Sequence, residues 1–414
     1  MLSIFKINIK RSDKFMFKKF ISLAFSALLL LILFVGCNNR TLPLDDEQQI
    51  VGGEQQRDDS EQKVEFDLTT IEKYLDKTGR YDFRGQDLSD LAVLDLEPLI
   101  NFVLDTQTKF PNNFLDTYDF EKAVSYGKDP GLNILSLHEE GITGKGVNVA
   151  VIDGVLLKEH NEIKDNIVLC EDLVDNETAF YHGTPITSIL CGKEVGIAPE
   201  AKVYFVSYLN DKLHNSGNYE EAYVYLAKAI ERIVEINKEL PQDEKIRVLS
   251  ISSGWDPDSD KAAAIVSAIE KAKEDGIFVV TARLYDHDGL YFGGASREIL
   301  SDPNDINSYS AYYLDVYNDA KEILLAPMDA RWLACHIGVD DYMMYSRGAW
   351  SMVIPYISGV YTLACQVYPE ITPSLFWEMA LSTGYDIKQM DSEYEGKTVK
   401  IINPVNLIKE LKNK

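Results

Sequence analysis

The chain has 414 residues, 46% of them hydrophobic, and a formal net charge of -25 at neutral pH. That apolar fraction supports a sizeable core and excludes wholesale disorder, and the length fits one large domain or two ordinary ones. A surface so acidic argues against nucleic acid as a partner and against electrostatic adhesion to anionic lipid.

The first segment reads as an export signal. Lys6, Lys10, Arg11, Lys14, Lys18 and Lys19, opposed only by Asp13, precede an almost unbroken apolar run over 20–35. The run is short of the ~20 residues a spanning helix needs and has the basic-then-apolar layout of a secretory signal peptide. Met16 is a second candidate start, since 16–19 (MFKK) already supplies the charge. Phe34-Val35-Gly36-Cys37 resembles a bacterial lipobox, with Phe in place of the usual Leu. Residues 1–36 are therefore expected to be cleaved before Cys37. The Cys37 thiol would then carry diacylglycerol, with a palmitate-type chain on the new amino terminus. Two or more chains hold a protein stably where one does not. This predicts a lipid anchor on the outer face of the cell membrane; plain secretion and an uncleaved anchor are the alternatives.

Residues 37–63 are polar and acidic and read as a flexible tether. Residues 64–128 form an N-terminal extension with recurring apolar positions (Leu88, Leu91, Leu94, Leu96, Leu99, Ile100, Phe102, Val103, Leu104). From residue 129 to 414 strand and helix alternate. Strands are predicted over 147–152, 201–208, 248–252 and 277–281, and helices over 184–191, 220–239, 261–274 and 351–367. Such alternation implies a parallel sheet with helices on both faces, and ligands bind such sheets at the carboxyl ends of strands. Asp153, Ser252 and Thr281 fall at those ends. Cys170, Cys191, Cys335 and Cys365 read as buried thiols; as disulfides they would allow three connectivities, none of which the sequence selects.

Three residues carry candidate chemistry. Asp153 closes an apolar strand, where a carboxylate is costly to bury unless it is hydrogen-bonded. His182 is one of six histidines and the only one followed by Gly-Thr; imidazole titrates near neutrality and so can shuttle a proton. Ser351 is expected at the start of its helix, where free amides and the dipole favour negative charge. The bland readings are a turn-supporting Asp, a structural His and an N-cap Ser. In chain order the three run Asp, His, Ser, as in subtilisin.

With their flanks, these segments resemble the subtilisin-like serine peptidases. The resemblance rests on 144–153 (GKGVNVAVID), 182–184 (HGT) with 196–204 (GIAPEAKVY), 248–254 (VLSISSG) and 350–359 (WSMVIPYISG). It spans roughly 129–403. The wording of 126–132 (YGKDPGL) and 325–329 (LAPMD) is most similar to a divergent Gram-positive lipoprotein branch. The implied fold is α/β, a three-layer doubly wound, mainly parallel sheet. The implied activity is serine endopeptidase, with Asp153, His182 and Ser351 as the triad and protein or peptide as substrate. The 64–128 extension becomes a candidate propeptide. Ser252, Ser253, Gly254 and Ala282 would border the substrate pocket, and Arg283 beside them either favours an acidic side chain or faces solvent. The Ser351 N–H would be one oxyanion donor. The family's Asn donor is absent, and its place falls on Tyr285; Tyr285 and Arg283 are the substitute candidates. Other departures are Gly154-Val155 after the aspartate, Pro185 after His-Gly-Thr, and Ala349-Trp350 before the serine.

The alternative is a catalytically impaired binding or regulatory lipoprotein on the same fold, and a minor third reading is an esterase or peptide transferase. No cofactor is expected. Asp256, Asp258 and Asp260 have the spacing of a calcium loop's start but lack its later Gly and Glu, and so read as a solvated acidic loop.

Overall fold

In the computed structural model of the chain, residues 73–75, 80–90, 102–111, 119–175, 178–312, 320–387 and 397–414 are described. The signal segment, Cys37 and the tether lie outside them. The chain divides into two compact units, one comprising 1–82 with 95–99 and the other 83–94 with 100–414. In the first, the Asp82 amide donates to the Tyr74 carbonyl at 2.9 Å, and Leu75 bridges Tyr81 in the antiparallel sense. Everything below concerns the second.

Its described elements run β1 (Phe102–Asp105), α1 (Phe120–Lys128), α2 (Ile134–Glu139), β2 (Asn148–Gly154), β3 (Ile167–Asp172), α3 (Gly183–Cys191), β4 (Lys202–Leu209), α4 (Asp211–Ser216), α5 (Tyr219–Glu239), β5 (Ile246–Ile251), α6 (Ala262–Glu274), β6 (Phe278–Thr281) and α7 (Leu284–Asp288). There follow β7 (Phe292–Arg297), β8 (Tyr309–Tyr312), β9 (Glu322–Pro327), β10 (Arg331–Ala334), β11 (Tyr342–Tyr345), α8 (Trp350–Val367), α9 (Pro373–Thr383), β12 (Tyr385–Asp386), β13 (Thr398–Ile401) and α10 (Pro404–Lys412).

The central sheet is parallel throughout, in the order β3-β4-β2-β5-β6. All seven residues of β2 are buried, as expected of a strand covered on both faces. Its side chains divide by the period of two. Ala150 and Ile152 join the core under α5 and α6, while Val149 and Val151 join the core containing α3 and α8. The predicted strands and helices of this region match the observed ones to within about two residues, and the three-layer α/β architecture is present.

A second sheet, β12-β13-β9-β7-β8, mixes parallel and antiparallel pairs. Helix α8, buried over nearly its whole length, packs against both sheets. In a third, antiparallel sheet, β1 pairs with β11, which pairs with β10. Within the 64–128 extension, Leu88, Phe102, Val103 and Leu104 are buried. Leu91, Leu94, Leu96, Leu99 and Ile100 lie outside the described residues.

Candidate active site

The carboxyl ends of β2 and β5 lie side by side. Ile152 is in register with Ile251, so Asp153 and Ser252 leave the sheet at the same level. Asp153 Oδ1 accepts from its neighbour's amide, Gly154 N, at 2.7 Å and lies 2.8 Å from His182 Nδ1. A carboxylate only accepts, so Nδ1 carries the proton and Nε2 keeps its lone pair. The Asp153 side chain is 5% exposed and that of His182 25%. Burial lowers the His182 pKa, but the charge and the hydrogen bond of Asp153 outweigh it, and the net shift is upward.

Two glycines let these parts meet. A Cβ on Gly154 would lie 2.1 Å from the Phe180 ring, and one on Gly183 would lie 2.2 Å from the Gly154 carbonyl oxygen. The start of the histidine helix therefore packs directly on the backbone of the aspartate strand. The absence of the small hydroxyl residue after Asp153 has the same cause, since Phe180 fills that space. Thr184 Oγ1 accepts from Leu157 N at 3.0 Å and fixes the first turn of α3.

Helix α8 begins at Trp350, one residue earlier than expected, after an extended Ala349 that makes no side-chain cap. Ser351 is thus the second helical residue and is not the N-cap, so the bland reading of its hydroxyl does not hold. Its amide is among the first four, which have no partner within the helix. Its carbonyl has a different history. In a regular helix that carbonyl would accept from residue 355, but Pro355 has no N–H. Ser252 Oγ donates to it instead at 2.8 Å. The serine helix is thereby pinned to the end of β5, one strand from Asp153. Trp350 does not stand in the cleft unsupported; its ring packs on Phe292 of β7, with centroids 5.6 Å apart.

The turn before Ser351 is held by Asp329, a residue that sequence reasoning missed. Its Oδ1 accepts from Gly348 N at 2.7 Å, and its Oδ2 from Ser296 Oγ at 2.6 Å and Arg347 Nη1 at 2.9 Å. Burial pushes this carboxyl above its ordinary value against the pull of those three donors. The signal was available in 325–329 (LAPMD), an acid at the end of an apolar run.

The proposed pocket residues do come together. Ala282 N donates to Ser253 O at 3.1 Å, stitching the end of β6 to that of β5. Ser252 is buried, while Ser253, Gly254 and Ala282 are half-buried. Arg283 is buried, paired with Asp286, and set over the rings of Trp255 and Tyr285. Tyr285 stacks on Tyr291, and burial raises its phenol. Asp256 accepts from Asp258 N at 3.0 Å in a local turn. Among the described residues no group of three or more His, Cys, Asp or Glu is placed to hold a metal. The four described cysteines are free thiols; burial pushes Cys170 and Cys335 up to about 11 and Cys365 to about 12.

Residues 144–308 match the model of the subtilase family, an interval that holds Asp153 and His182 but ends before Ser351. The major intracellular serine protease of Bacillus subtilis (strain 168) is 25% identical over 193 residues, covering 41% of this chain and 56% of that protein. Subtilisin E of the same organism is 25% identical over 201 residues, covering 46% of this chain and 48% of that protein. The chain thus spans about half the length of these curated relatives. Fervidolysin from Fervidobacterium pennivorans, described as a keratinolytic enzyme related to subtilisin, superposes with a TM-score of 0.50 at 16% identity, covering 70% of this chain and 47% of that one. At that identity the likeness is one of fold.

Proposed function

We propose that this chain, a divergent subtilase, is a serine endopeptidase tethered outside the cell. The observation that carries the reading is the Asp153–His182 contact of 2.8 Å, which leaves a basic Nε2 on a quarter-exposed ring. Ser351 supplies the nucleophile from the helix pinned one strand away. Its Oγ attacks the peptide carbonyl while His182 Nε2 takes the proton, and Asp153 stabilises the resulting imidazolium. The tetrahedral oxyanion is stabilised by the Ser351 N–H and the positive end of α8, with Tyr285 as the candidate second donor. His182 returns its proton to the leaving amine. Water activated by the same ring then releases the acyl group from Ser351.

Labelling with a fluorophosphonate probe tests this. Wild type should form an adduct that Ser351→Ala abolishes; folded wild-type protein that takes no label would sink the reading. The tether rests on the signal-like 1–36 and the lipobox ending at Cys37. Cys37→Ser should leave the protein unprocessed or free of the membrane. Retention on the membrane at the processed size would refute the lipid anchor.

A further inference from the structure

The cleft beside Ser351 holds a cation that the chemistry above does not use. Arg283 is only 6% exposed, and its Nε is buried in an ion pair with Asp286 Oδ2. Its stem covers Gly254, where an added Cβ would lie 3.3 Å from Arg283 Cγ. Its guanidinium sits 5.8 Å from the centre of the Trp255 ring and 5.6 Å from that of Tyr285. The neighbouring acid is Asp286, three residues on, whose side chain is 32% exposed.

A guanidinium is held this deeply at a cost unless its donors are used. Its planar fork suits a carboxylate better than any neutral acceptor. Its position is equally specific. Ser252 holds the Ser351 carbonyl, the next two residues are half-buried, and Arg283 covers the second of them. A peptide laid along 253–254 as an added strand, with its reacting carbonyl at Ser351, brings the adjoining side chain toward 282–283, which pack on 253–254.

We propose that Arg283 selects substrates bearing aspartate or glutamate on the acyl side of the cleaved bond, a deepening that rests on the endopeptidase reading. Asp286 holds the guanidinium through Nε while the cleft is empty, and the substrate carboxylate pairs with its remaining N–H donors. A chain of net charge -25 repels acidic peptides at long range, so a preference for them must come from a local cation, and Arg283 is that cation.

Two readouts on the full chain test this. The first is hydrolysis of peptide pools in which the acyl-side residue is fixed as Glu, Asp, Gln or Leu. The second is binding of fluorescein-labelled hexapeptides carrying Glu or Gln there to the Ser351→Ala chain, followed by anisotropy. Hydrogen bonding to a charged partner predicts a Glu-over-Gln ratio of roughly 10- to 100-fold. Arg283→Gln should collapse the ratio toward one, Arg283→Lys should keep part of it, and Asp286→Asn should enlarge it. Circular dichroism confirms that each variant is folded. A wild type that cuts Gln or Leu peptides as fast as Glu peptides overturns the proposal and leaves the endopeptidase standing. A ratio unmoved in folded Arg283→Gln and Asp286→Asn overturns it as well. Arg283-dependent binding of the Glu hexapeptide with no Ser351-dependent cleavage of any pool leaves a carboxylate-binding cleft and removes the endopeptidase. Neither binding nor cleavage removes both.

Discussion

Removing one hydroxyl tests how the serine helix is fixed to the sheet. Ser252→Ala deletes the donor at 2.8 Å from the Ser351 carbonyl and leaves that oxygen without a partner, because Pro355 has no N–H to offer. Stranding a buried acceptor costs about 1–3 kcal/mol. The loss should also free the first turn of α8 by a fraction of an ångström, and a 1 Å misplacement of a reacting group costs roughly 10²-fold in rate. The assay is a double-mutant cycle with Pro355→Ala, which restores the amide at position 355 and with it the ordinary helical bond. Urea unfolding and fluorophosphonate labelling rates are measured for all four proteins. In the Pro355→Ala background the Ser252→Ala penalty should shrink by about 1 kcal/mol or more. An equal penalty in both backgrounds would refute the idea that Ser252 replaces the bond that proline removes.

The remaining predictions concern the base and its supports. His182 is raised above its ordinary 6.5 and, as the proposed base, would act only when neutral, so the acid limb of kcat/KM against pH should inflect above 6.5; Asp153→Asn should move it down. Stability has its own sign: a raised histidine stabilises the fold fully below the unfolded value and loses that contribution as pH rises through the folded one. The Asp153→Asn penalty in urea should therefore be larger at pH 5.5 than at pH 9. Gly183→Ala pushes a methyl group to 2.2 Å from the Gly154 carbonyl. Since backbone must move, labelling of Ser351 should fall at least 10²-fold, more than in the exposed control Gly217→Asn, where an added side chain meets nothing. Asp329→Ala strands the Gly348 amide and takes the carboxylate from Arg347 Nη1 and Ser296 Oγ, which keep only the bond between them. It should cost about 3 kcal/mol and slow Ser351 labelling, whereas unchanged labelling would show that the turn does not position the serine.

The half of the fold nearest the base was legible in the sequence because its signals are local. β2 is a short apolar run between glycines, and α5 shows helical spacing. Beyond residue 290 the strands are short and paired across long separations. Tyr345 pairs with Val103 and Leu325 with Gly293, and no local pattern announces either. The same limit hid the contacts that hold the site. Ser252 and Ser351 are 99 residues apart, and Asp329 meets Ser296 and Gly348 through side-chain geometry alone. Asp153 and His182 were found because each sits in a distinctive short segment, and their contact then follows from the packing of α3 on β2.

These connections divide the site into a fixed part and a variable part. The Asp153–His182 pair depends on two glycines and on the position of β2 in the sheet, while Ser351 depends on the level at which β5 ends beside it. Both are set by the Ile152–Ile251 register, which the cores on the two faces lock, since a slip of one residue would turn every side chain of β2 to the wrong face. Three residues at the cleft, Trp350, Tyr285 and Arg283, lie outside that register. Trp350 is at the start of α8, while Arg283 caps α7 and Tyr285 lies in its first turn, just after β6. Change there alters what the cleft accepts while leaving the base and its acid in place. This predicts that Arg283 and Asp286 variants change the selectivity ratio while the pH at which the acid limb inflects stays that of wild type. A joint movement of ratio and inflection would mean that the turn after β6 and the base are one mechanical unit.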